Sequence, residues 1–319
     1  MPKTNPKTLL IAPKCDFKTP MMPLGLAYIA SFLQKYGFEV LIIDAWAENL
    51  SFEYLEKRIK ESEADIVGVY MLSPRYKEAK LTIETCRKAL PKALIIAGGP
   101  HPSAMPEQTL KDIKELDMCV VGEGEITMKE IAEAFKNNFG FFNIKGVAIR
   151  KDKDIIINPR RDFIKNLDEM PLPARDLFPL KKYRTHPPYG RNNPYFSVIT
   201  SRGCPFQCAY CSKDVFLDNF RAVSPKKVID EIELLILKYK AKEIHFYDDD
   251  FTINMKRAEE ICDEIIKRRL KIAWSCTTRV DLVNESLLQK MKKAGCWLIS
   301  YGVESGNQNI LNSISKGTR

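Results

Sequence analysis

The sequence predicts an α/β protein with two domains, because two series of short apolar runs alternate with segments of helical periodicity. The first series occupies residues 1–145 and the second occupies residues 194–319, with a connection of different composition between them. A chain of 319 residues is long enough for two hydrophobic cores. Strands that alternate with helices usually pair in parallel, so we expect a parallel sheet in each domain.

In the first domain, apolar runs spaced by helical segments predict a doubly wound sheet. The predicted strands are residues 8–12, 40–43, 65–70, 93–97 and 118–121, and the predicted helices are residues 23–35, 51–61, 76–90 and 126–137. Ser51 is a typical N-cap residue, and Gly37 lies just beyond the end of the first helix. We expect the flavodoxin-like strand order 2-1-3-4-5, in which ligands bind beyond the carboxyl ends of the strands.

Glycine-rich turns follow the fourth and fifth predicted strands. The fourth strand runs into Gly98 and Gly99. The turn after the fifth strand consists of Gly122, Glu123, Gly124 and Glu125. Because glycine lets a ligand approach the backbone, both turns are candidate binding loops. His101 follows Gly99 closely, and two interpretations stay open: it contacts a bound cofactor, or it is a loop residue without a special partner.

The connection spans residues 146–193. Apolar residues 146–150 and 155–157 flank a charged turn, which predicts a β-hairpin. Proline is frequent from residue 158 to residue 194, and proline presets an extended path for the backbone. We therefore expect an ordered linker that lies over both domains.

The second domain repeats the strand–helix unit. A β-rich run at residues 194–200 is followed by a cysteine-rich segment, and Ser224 with Pro225 predicts the start of a helix. Further strands are expected at residues 243–247, 272–277 and 296–301, with a helix before each of the last two. Such repeats predict a (β/α) barrel, whose site lies at the carboxyl ends of its strands. Cys262 lies on the apolar face of a predicted helix and is expected to be a core thiol.

Three cysteines, Cys204, Cys208 and Cys211, lie within eight residues. Thiolates are soft ligands that suit zinc or iron–sulfur clusters. A structural zinc ion normally takes four protein ligands, but the next cysteine along the chain is Cys262. A [4Fe–4S] cluster held by three thiolates leaves one iron open for a substrate. The alternatives are a structural zinc site or three unrelated core thiols.

The composition excludes several classes of protein. The formal net charge is +9, but the lysines and arginines are scattered, whereas a nucleic-acid surface needs a basic cluster with aromatic residues. Six of the nine cysteines lie far apart, which favours a reducing cytoplasm over a disulfide framework. No apolar run approaches the ~20 residues that a membrane span needs.

The cysteine motif and its flanks resemble the radical S-adenosylmethionine (SAM) superfamily. With the glycine turns, the segment at residues 22–28 and the Met-Pro-Leu-Pro-Ala-Arg segment at residues 170–175, almost the whole chain resembles its cobalamin-dependent members. The resemblance implies three cofactors: a [4Fe–4S] cluster on Cys204, Cys208 and Cys211, SAM on the open iron, and cobalamin in the first domain. It also implies an electron donor of the flavodoxin or ferredoxin type and a small-molecule or lipid-like substrate that the sequence does not identify.

The resemblance also implies residues for SAM. Tyr210 matches an aromatic residue that packs near the adenine. The residues Asp248, Asp249 and Asp250 stand where the family has a glycine-rich motif that meets the SAM amino group. After the next two strands, the resemblance implies Arg279 as a partner of the SAM carboxylate and Glu304 as a partner of its ribose, with Ser305 beside Glu304. The alternatives are a charge cluster at a helix N-terminus for the three aspartates and a structural ion pair for Arg279 with Glu304.

For cobalamin, the resemblance implies the residues Leu24, Gly25, Tyr70, Ser73, Gly98, Gly99, His101, Gly122, Glu123, Gly124 and Glu125. Two departures from the family pattern are present. Residues 13–25 contain no histidine to ligate cobalt from below, and the third strand is followed by Tyr-Met-Leu and then Ser73 in place of Ser-x-Leu.

Strand alternation predicts which side chains face the barrel interior. The small polar set faces inward: Ser275, Thr277, Arg279, Ser300 and Glu304, with His245, Tyr247 and Asp249 by the same parity. The bulky residues Trp274 and Tyr301 then face the outer helices.

The family barrel has six strands and this sequence has four, so we expect a C-terminally truncated part of a longer protein. The predicted function is reductive SAM cleavage with radical methylation or cyclisation at an unactivated carbon. Cofactor binding or sensing with an inert barrel is the alternative.

Overall fold

The computed structural model describes residues 5–15, 19–152, 154–185, 187 and 190–318. The chain divides into two units. The first comprises Met1–Ile164 and Met170–Lys182, and the second comprises Lys165–Glu169 and Tyr183–Arg319. Within the described ranges, no helix combines the length and the apolar character that a membrane crossing needs.

The first unit contains one seven-stranded sheet. Its strands are β1 (Thr8–Ala12), β2 (Val40–Asp44), β3 (Ile66–Tyr70), β4 (Leu94–Gly98), β5 (Met118–Val120), β6 (Val147–Lys151) and β7 (Asp154–Ile157). Their order is β2-β1-β3-β4-β5-β6-β7. The first five strands are parallel, which confirms the predicted flavodoxin-like order, and β6 and β7 add an antiparallel edge. The predicted hairpin therefore exists, and it extends this sheet.

Helices cover both faces of the sheet, as apolar strands buried on both sides require. They are α1 (Leu24–Lys35), α2 (Phe52–Ser62), α3 (Tyr76–Ala89), α4 (Pro100–Ala104), α5 (Pro106–Asp112) and α6 (Gly124–Asn137). The Ser51 hydroxyl accepts a hydrogen bond from the Tyr54 amide at 3.2 Å, which confirms the predicted cap of α2. The short helices α4 and α5 were not predicted, because proline and polar residues interrupt the helical pattern there.

The second unit contains a four-stranded parallel sheet and a small antiparallel ribbon. The strands are β8 (Tyr195–Val198), β9 (Ser201–Arg202), β10 (Arg221–Ala222), β11 (Glu243–Phe246), β12 (Ala273–Thr278) and β13 (Cys296–Tyr301). The helices are α7 (Pro225–Tyr239), α8 (Met255–Lys267), α9 (Glu285–Lys293) and α10 (Gln308–Ser313). The order β13-β12-β11-β8 and the alternating helices match the predicted strand–helix units of a partial barrel.

One face of this sheet is apolar and packs against the helices. The Trp274 ring lies 5.2 Å from Phe246 and 5.5 Å from Phe251, and its indole N–H donates to the Ala294 carbonyl at 2.8 Å. Phe196 on β8 packs against Tyr239 of α7. Cys262 on α8 is fully buried, as expected of a core thiol. Trp274 therefore faces the helices, as strand parity predicts.

The opposite face of the sheet carries polar groups. His245 Nδ1 lies 2.8 Å from the Ser275 hydroxyl, and its ring meets the Tyr247 ring edge-on at 4.8 Å. The predicted inward set is thereby confirmed for these three side chains. Burial lowers the pKa of His245 to about 4, so the imidazole is neutral at neutral pH.

Candidate functional site

The cysteine segment of the second unit is a loop closed at its base by the β9–β10 ribbon. Ser201 and Arg202 pair with Ala222 and Arg221, which brings the two ends of the loop together. Gly203 follows the ribbon with a φ of +82°, and a Cβ there would lie 2.3 Å from the Asn219 carbonyl oxygen. Only glycine fits this position, because an L side chain rarely adopts this backbone and the carbonyl fills the space.

The loop presents three free thiols. Cys204 and Cys208 are partly buried and Cys211 is exposed. The Cys211 amide donates to the Cys208 carbonyl at 3.1 Å, so a tight turn separates these two cysteines. Burial raises the pKa of both Cys204 and Cys211. Among the described residues, no three His, Cys, Asp or Glu side chains lie close enough together to bind a single metal ion. A four-iron cluster binds each thiolate through a separate iron, so it does not require the sulfurs to converge.

Arg279, at the end of β12, holds this loop in place. Its guanidinium lies 3.8 Å from the centre of the Phe206 ring and donates to the Lys316 carbonyl at 2.7 Å. Its Nη1 also lies 4.0 Å from the Cys208 sulfur. Its ion-pair partner is Asp281, at 2.8 Å, so the structural pair that the sequence suggested with Glu304 is wrong. The carboxylate of Glu304 pairs instead with the Lys316 ammonium at 3.1 Å.

The three consecutive aspartates have different surroundings. Asp248 is buried and accepts hydrogen bonds from the Thr200 hydroxyl and from the amides of Thr200 and Ser201. Asp250 is buried and accepts from the Thr278 hydroxyl at 2.7 Å. Asp249 is exposed and accepts from the Gly203 amide at the start of the cysteine loop. Of the three, only Asp249 offers a carboxylate to a ligand beside the thiols.

Glu304 lies at the end of β13 and meets two residues from elsewhere in the chain. Its carboxylate accepts from the Lys316 ammonium at 3.1 Å, and Lys316 also donates to the Tyr210 hydroxyl at 3.2 Å. Glu304 has a φ of 62°, a conformation that non-glycine residues adopt rarely and that is often found at functional sites. The adjacent Ser305 hydroxyl accepts from the Asn307 amide and caps the turn into α10. The structure thus brings Tyr210 and Glu304 together, as a shared ligand would require.

Lys316 was not identified from the sequence. It is 5 % exposed, and its backbone carbonyl and ammonium connect Arg279, Glu304 and Tyr210. The neighbouring Ile314 carbonyl accepts from the Ala209 amide inside the cysteine loop. Lys316 lies outside any strand end, and no motif in the sequence marks it.

In the first unit, several predicted residues meet at the carboxyl ends of β3 and β4. Gly99 has a φ of +109°, and a Cβ there would lie 2.9 Å from the Tyr70 ring. The Ser73 hydroxyl lies 2.9 Å from His101 Nδ1, and the Tyr76 ring meets the imidazole edge-on at 5.0 Å. Burial lowers the pKa of His101 and keeps the ring neutral. His101 is therefore fixed in place by specific contacts, unlike a freely placed loop residue.

The turn after β5 is held mainly by contacts within the unit. The Gly122 amide donates to the Ser103 hydroxyl at 3.0 Å, and Glu123 accepts from the Ile164 amide at 3.0 Å. A Cβ on Gly124 would lie 2.9 Å from Ile29, so this glycine lets α6 approach α1. Glu125 is buried in the first turn of α6, which begins two residues earlier than predicted.

Other glycines leave room at the same edge. A Cβ on Gly25 would meet nothing within 4 Å, and one on Gly98 would meet only Val120 at 3.9 Å. Leu24, beside Gly25 at the start of α1, is buried. Open space beside glycine backbone, neutral His101 and neutral hydroxyls suit a large cofactor rich in amide groups. The residues present therefore fit cobalamin. Residues 16–18 of the loop without histidine lie outside the described residues.

A cavity of about 570 Å³ lies elsewhere in this unit. Tyr36, Phe38, Phe139 and Ile144 are among its lining residues. None of the predicted site residues lines it.

Comparison with known proteins relates these sites to two families. The B12 binding domain matches residues 15–132, and the Radical SAM superfamily matches residues 198–319. An uncharacterized methyltransferase, PH0819, of Pyrococcus horikoshii is 37% identical over 92% of this chain and 63% of its own length. The anaerobic magnesium-protoporphyrin IX monomethyl ester cyclase of Rubrivivax gelatinosus is 32% identical over 93% of this chain and 54% of its own. The chain thus spans between about half and two thirds of the length of these relatives.

Two solved structures share the fold. The cobalamin-dependent SAM radical enzyme OxsB, with aqua-cobalamin and SAM bound, matches with a TM-score of 0.83 at 23% identity, over 98% of this chain and 46% of that one. The radical SAM methyltransferase TsrM from Kitasatospora setae, with cobalamin and a [4Fe-4S] cluster bound, matches with a TM-score of 0.82 at 19% identity, over 99% and 64% of the two chains. These likenesses concern the fold.

Proposed function

Because the chain belongs to the proteins that join a B12-binding domain to a radical SAM domain, we propose that it cleaves SAM reductively at a [4Fe–4S] cluster. Cobalamin is its second cofactor. The reaction is radical methylation at an unactivated carbon, with cyclisation as the other chemistry found among the relatives. The substrate is a small molecule or lipid-like compound, and a flavodoxin or ferredoxin type of protein donates the electron.

The cysteine loop is the observation that carries this proposal. Its three thiols are free, and the loop is anchored at the carboxyl edge of the sheet by Gly203, Arg279 and Lys316. Such an edge is where strand–helix folds place catalytic groups. Cys204, Cys208 and Cys211 would hold three irons, and the fourth iron would remain open for SAM.

Four side chains around the loop are proposed to bind SAM. Asp249 is placed to accept hydrogen bonds from the ammonium group, because it is exposed beside Gly203. Glu304 and Tyr210 offer a carboxylate and an aromatic ring to the ribose and adenine, and Ser305 offers a hydroxyl beside them. Asp248 and Asp250 act indirectly, since their carboxylates already accept hydrogen bonds from Ser201 on β9 and Thr278 on β12.

The first unit is proposed to hold cobalamin over the ends of β3 and β4. Gly98 and Gly99 permit close approach, Tyr70 and Ser73 line the edge, and His101 offers a neutral ring nitrogen. When bound, the cluster supplies the electron for SAM cleavage and cobalamin carries the methyl group. The protein supplies the placement of these groups.

Anaerobic reconstitution tests the proposal. The protein is purified with iron, sulfide and hydroxocobalamin and is incubated with SAM and dithionite. We expect a bound cluster and release of 5′-deoxyadenosine, and we expect both to be lost when Cys204, Cys208 or Cys211 is replaced by alanine. Cys15→Ala is the matched control, because Cys15 is a partly buried cysteine outside the loop.

Two results would contradict the proposal. Full iron retention in all three loop variants would show that the thiols do not hold a cluster. A reconstituted cluster without any 5′-deoxyadenosine would favour a cofactor-binding or sensory protein.

A further inference from the structure

Lys213 follows the last cysteine of the loop by two positions, and its ammonium nitrogen is buried. This nitrogen has no hydrogen-bond partner among the residues that the structure describes. Lys316, at the same site, differs because its ammonium donates to both Tyr210 and Glu304. Lysine side chains normally extend until the charged end reaches water or a partner.

A buried ammonium without a partner is unfavourable, because charge leaves water without compensation. A compensating anion is therefore expected next to Lys213. The Lys213 charge acts on three protein groups, because it lowers the pKa of Cys204, Cys211 and Asp249. Both thiols belong to the loop that is proposed to hold the cluster, and neither of them accepts a hydrogen bond from the Lys213 nitrogen. Asp249 is not within ion-pair distance of Lys213 in the described structure, and its carboxylate already accepts from Gly203.

We infer that the Lys213 ammonium compensates the negative charge of the iron–sulfur cluster and its thiolates. This inference rests on the proposed function. Three thiolates outweigh the positive charge of an oxidised [4Fe–4S] core, and reduction adds a further negative charge. A fixed cation nearby stabilises the reduced state more than the oxidised one, so Lys213 raises the reduction potential of the cluster.

The test measures the midpoint potential of the reconstituted cluster by redox titration monitored by electron paramagnetic resonance, without SAM. Lys213→Met removes the charge and keeps a similar length, and Lys213→Arg keeps the charge. Lys226→Met is the control, because it removes the same charge from an exposed lysine on α7. We expect Lys213→Met to lower the equilibrium constant for reduction at least about tenfold, a shift of about 59 mV to more negative potential. Lys213→Arg and Lys226→Met should stay close to wild type.

Each other result has a distinct meaning. A fully loaded Lys213→Met cluster with an unchanged midpoint overturns the inference, and weaker SAM binding in that variant would assign Lys213 to the SAM carboxylate. Lys213→Met could fold, as judged by circular dichroism, and still hold no iron. In that case, iron binding by Lys213→Arg supports the need for a cation at this position. Absence of iron from both variants overturns the inference. A wild-type protein that holds no cluster overturns the proposed function as well.

Discussion

At the scale of single residues, identical side chains have different roles because their hydrogen-bond partners differ. The run Asp248, Asp249, Asp250 reads as one acidic cluster in the sequence. In the structure, Asp248 accepts from Ser201 on β9, Asp250 accepts from Thr278 on β12, and Asp249 lies beside the cysteine loop. A substitution at each position would therefore test a different property of the protein.

His245 leads to a prediction about pH. Its pKa is about 4 in the folded protein, because of burial, and is ~6.5 when unfolded. The unfolded chain therefore binds more protons between these values, so the free energy of unfolding falls as the pH drops from 6.5 to 4. His245→Gln should remove on the order of 3 kcal/mol of this fall. Denaturant unfolding at pH 7.0 and pH 4.5 measures it.

The control for His245→Gln is Ser275→Ala, which removes the hydroxyl partner of the imidazole and keeps the titrating ring. Its pH dependence should follow the wild-type slope. Parallel pH profiles for His245→Gln and the wild type would show that this ring is not the titrating group.

At the scale of elements, the β9–β10 ribbon and the short segment after α10 determine the shape of the cysteine loop. The ribbon contains only two residues on each strand, and the chain leaves it at Gly203, which has a positive φ. The segment after α10 reaches back through Ile314 and Lys316. These elements link the loop to the sheet edge at both of its sides.

Gly203→Ala is predicted to disrupt the loop. The new methyl group would meet the Asn219 carbonyl, and the backbone conformation itself costs ~1–2 kcal/mol for a non-glycine residue. We expect a loss of at least about 2 kcal/mol in the free energy of unfolding and a lower iron content after reconstitution. Gly306→Ala is the matched control, because a Cβ there meets nothing within 4 Å. Equal stability and iron content in the two variants would contradict the assignment.

At the scale of the whole molecule, each unit contains its own sheet and its own group of strand-end residues. Glycine backbone, neutral hydroxyls and a neutral imidazole characterise the first unit, whereas thiols and charged groups characterise the second. The two kinds of chemistry suit two different cofactors.

Corrin binding and cluster binding should therefore be separable by mutation. Gly99→Val places a branched side chain against the Tyr70 ring at a positive φ and should reduce cobalamin binding, with the iron content unchanged. The triple variant with alanine at Cys204, Cys208 and Cys211 should show the reverse. Absorbance spectra for corrin and colorimetric iron assays measure both. Loss of both cofactors in both variants would contradict independent sites.

The helix cap at Ser51, the buried side of Trp274 and the cysteine motif are readable from the sequence, because each depends on local pattern or short spacing. The strand order of the first sheet follows from the alternation of strands and helices along the chain. The partner of Arg279, the different environments of the three aspartates and the positions of Lys213 and Lys316 are visible only in the folded chain. These features depend on loops that are tens of residues apart in the sequence and come into contact only in the fold. Residue type and periodicity do not indicate which side chains meet there. The same reason explains why the hairpin was predicted but its place at the edge of the first sheet was found only in the fold.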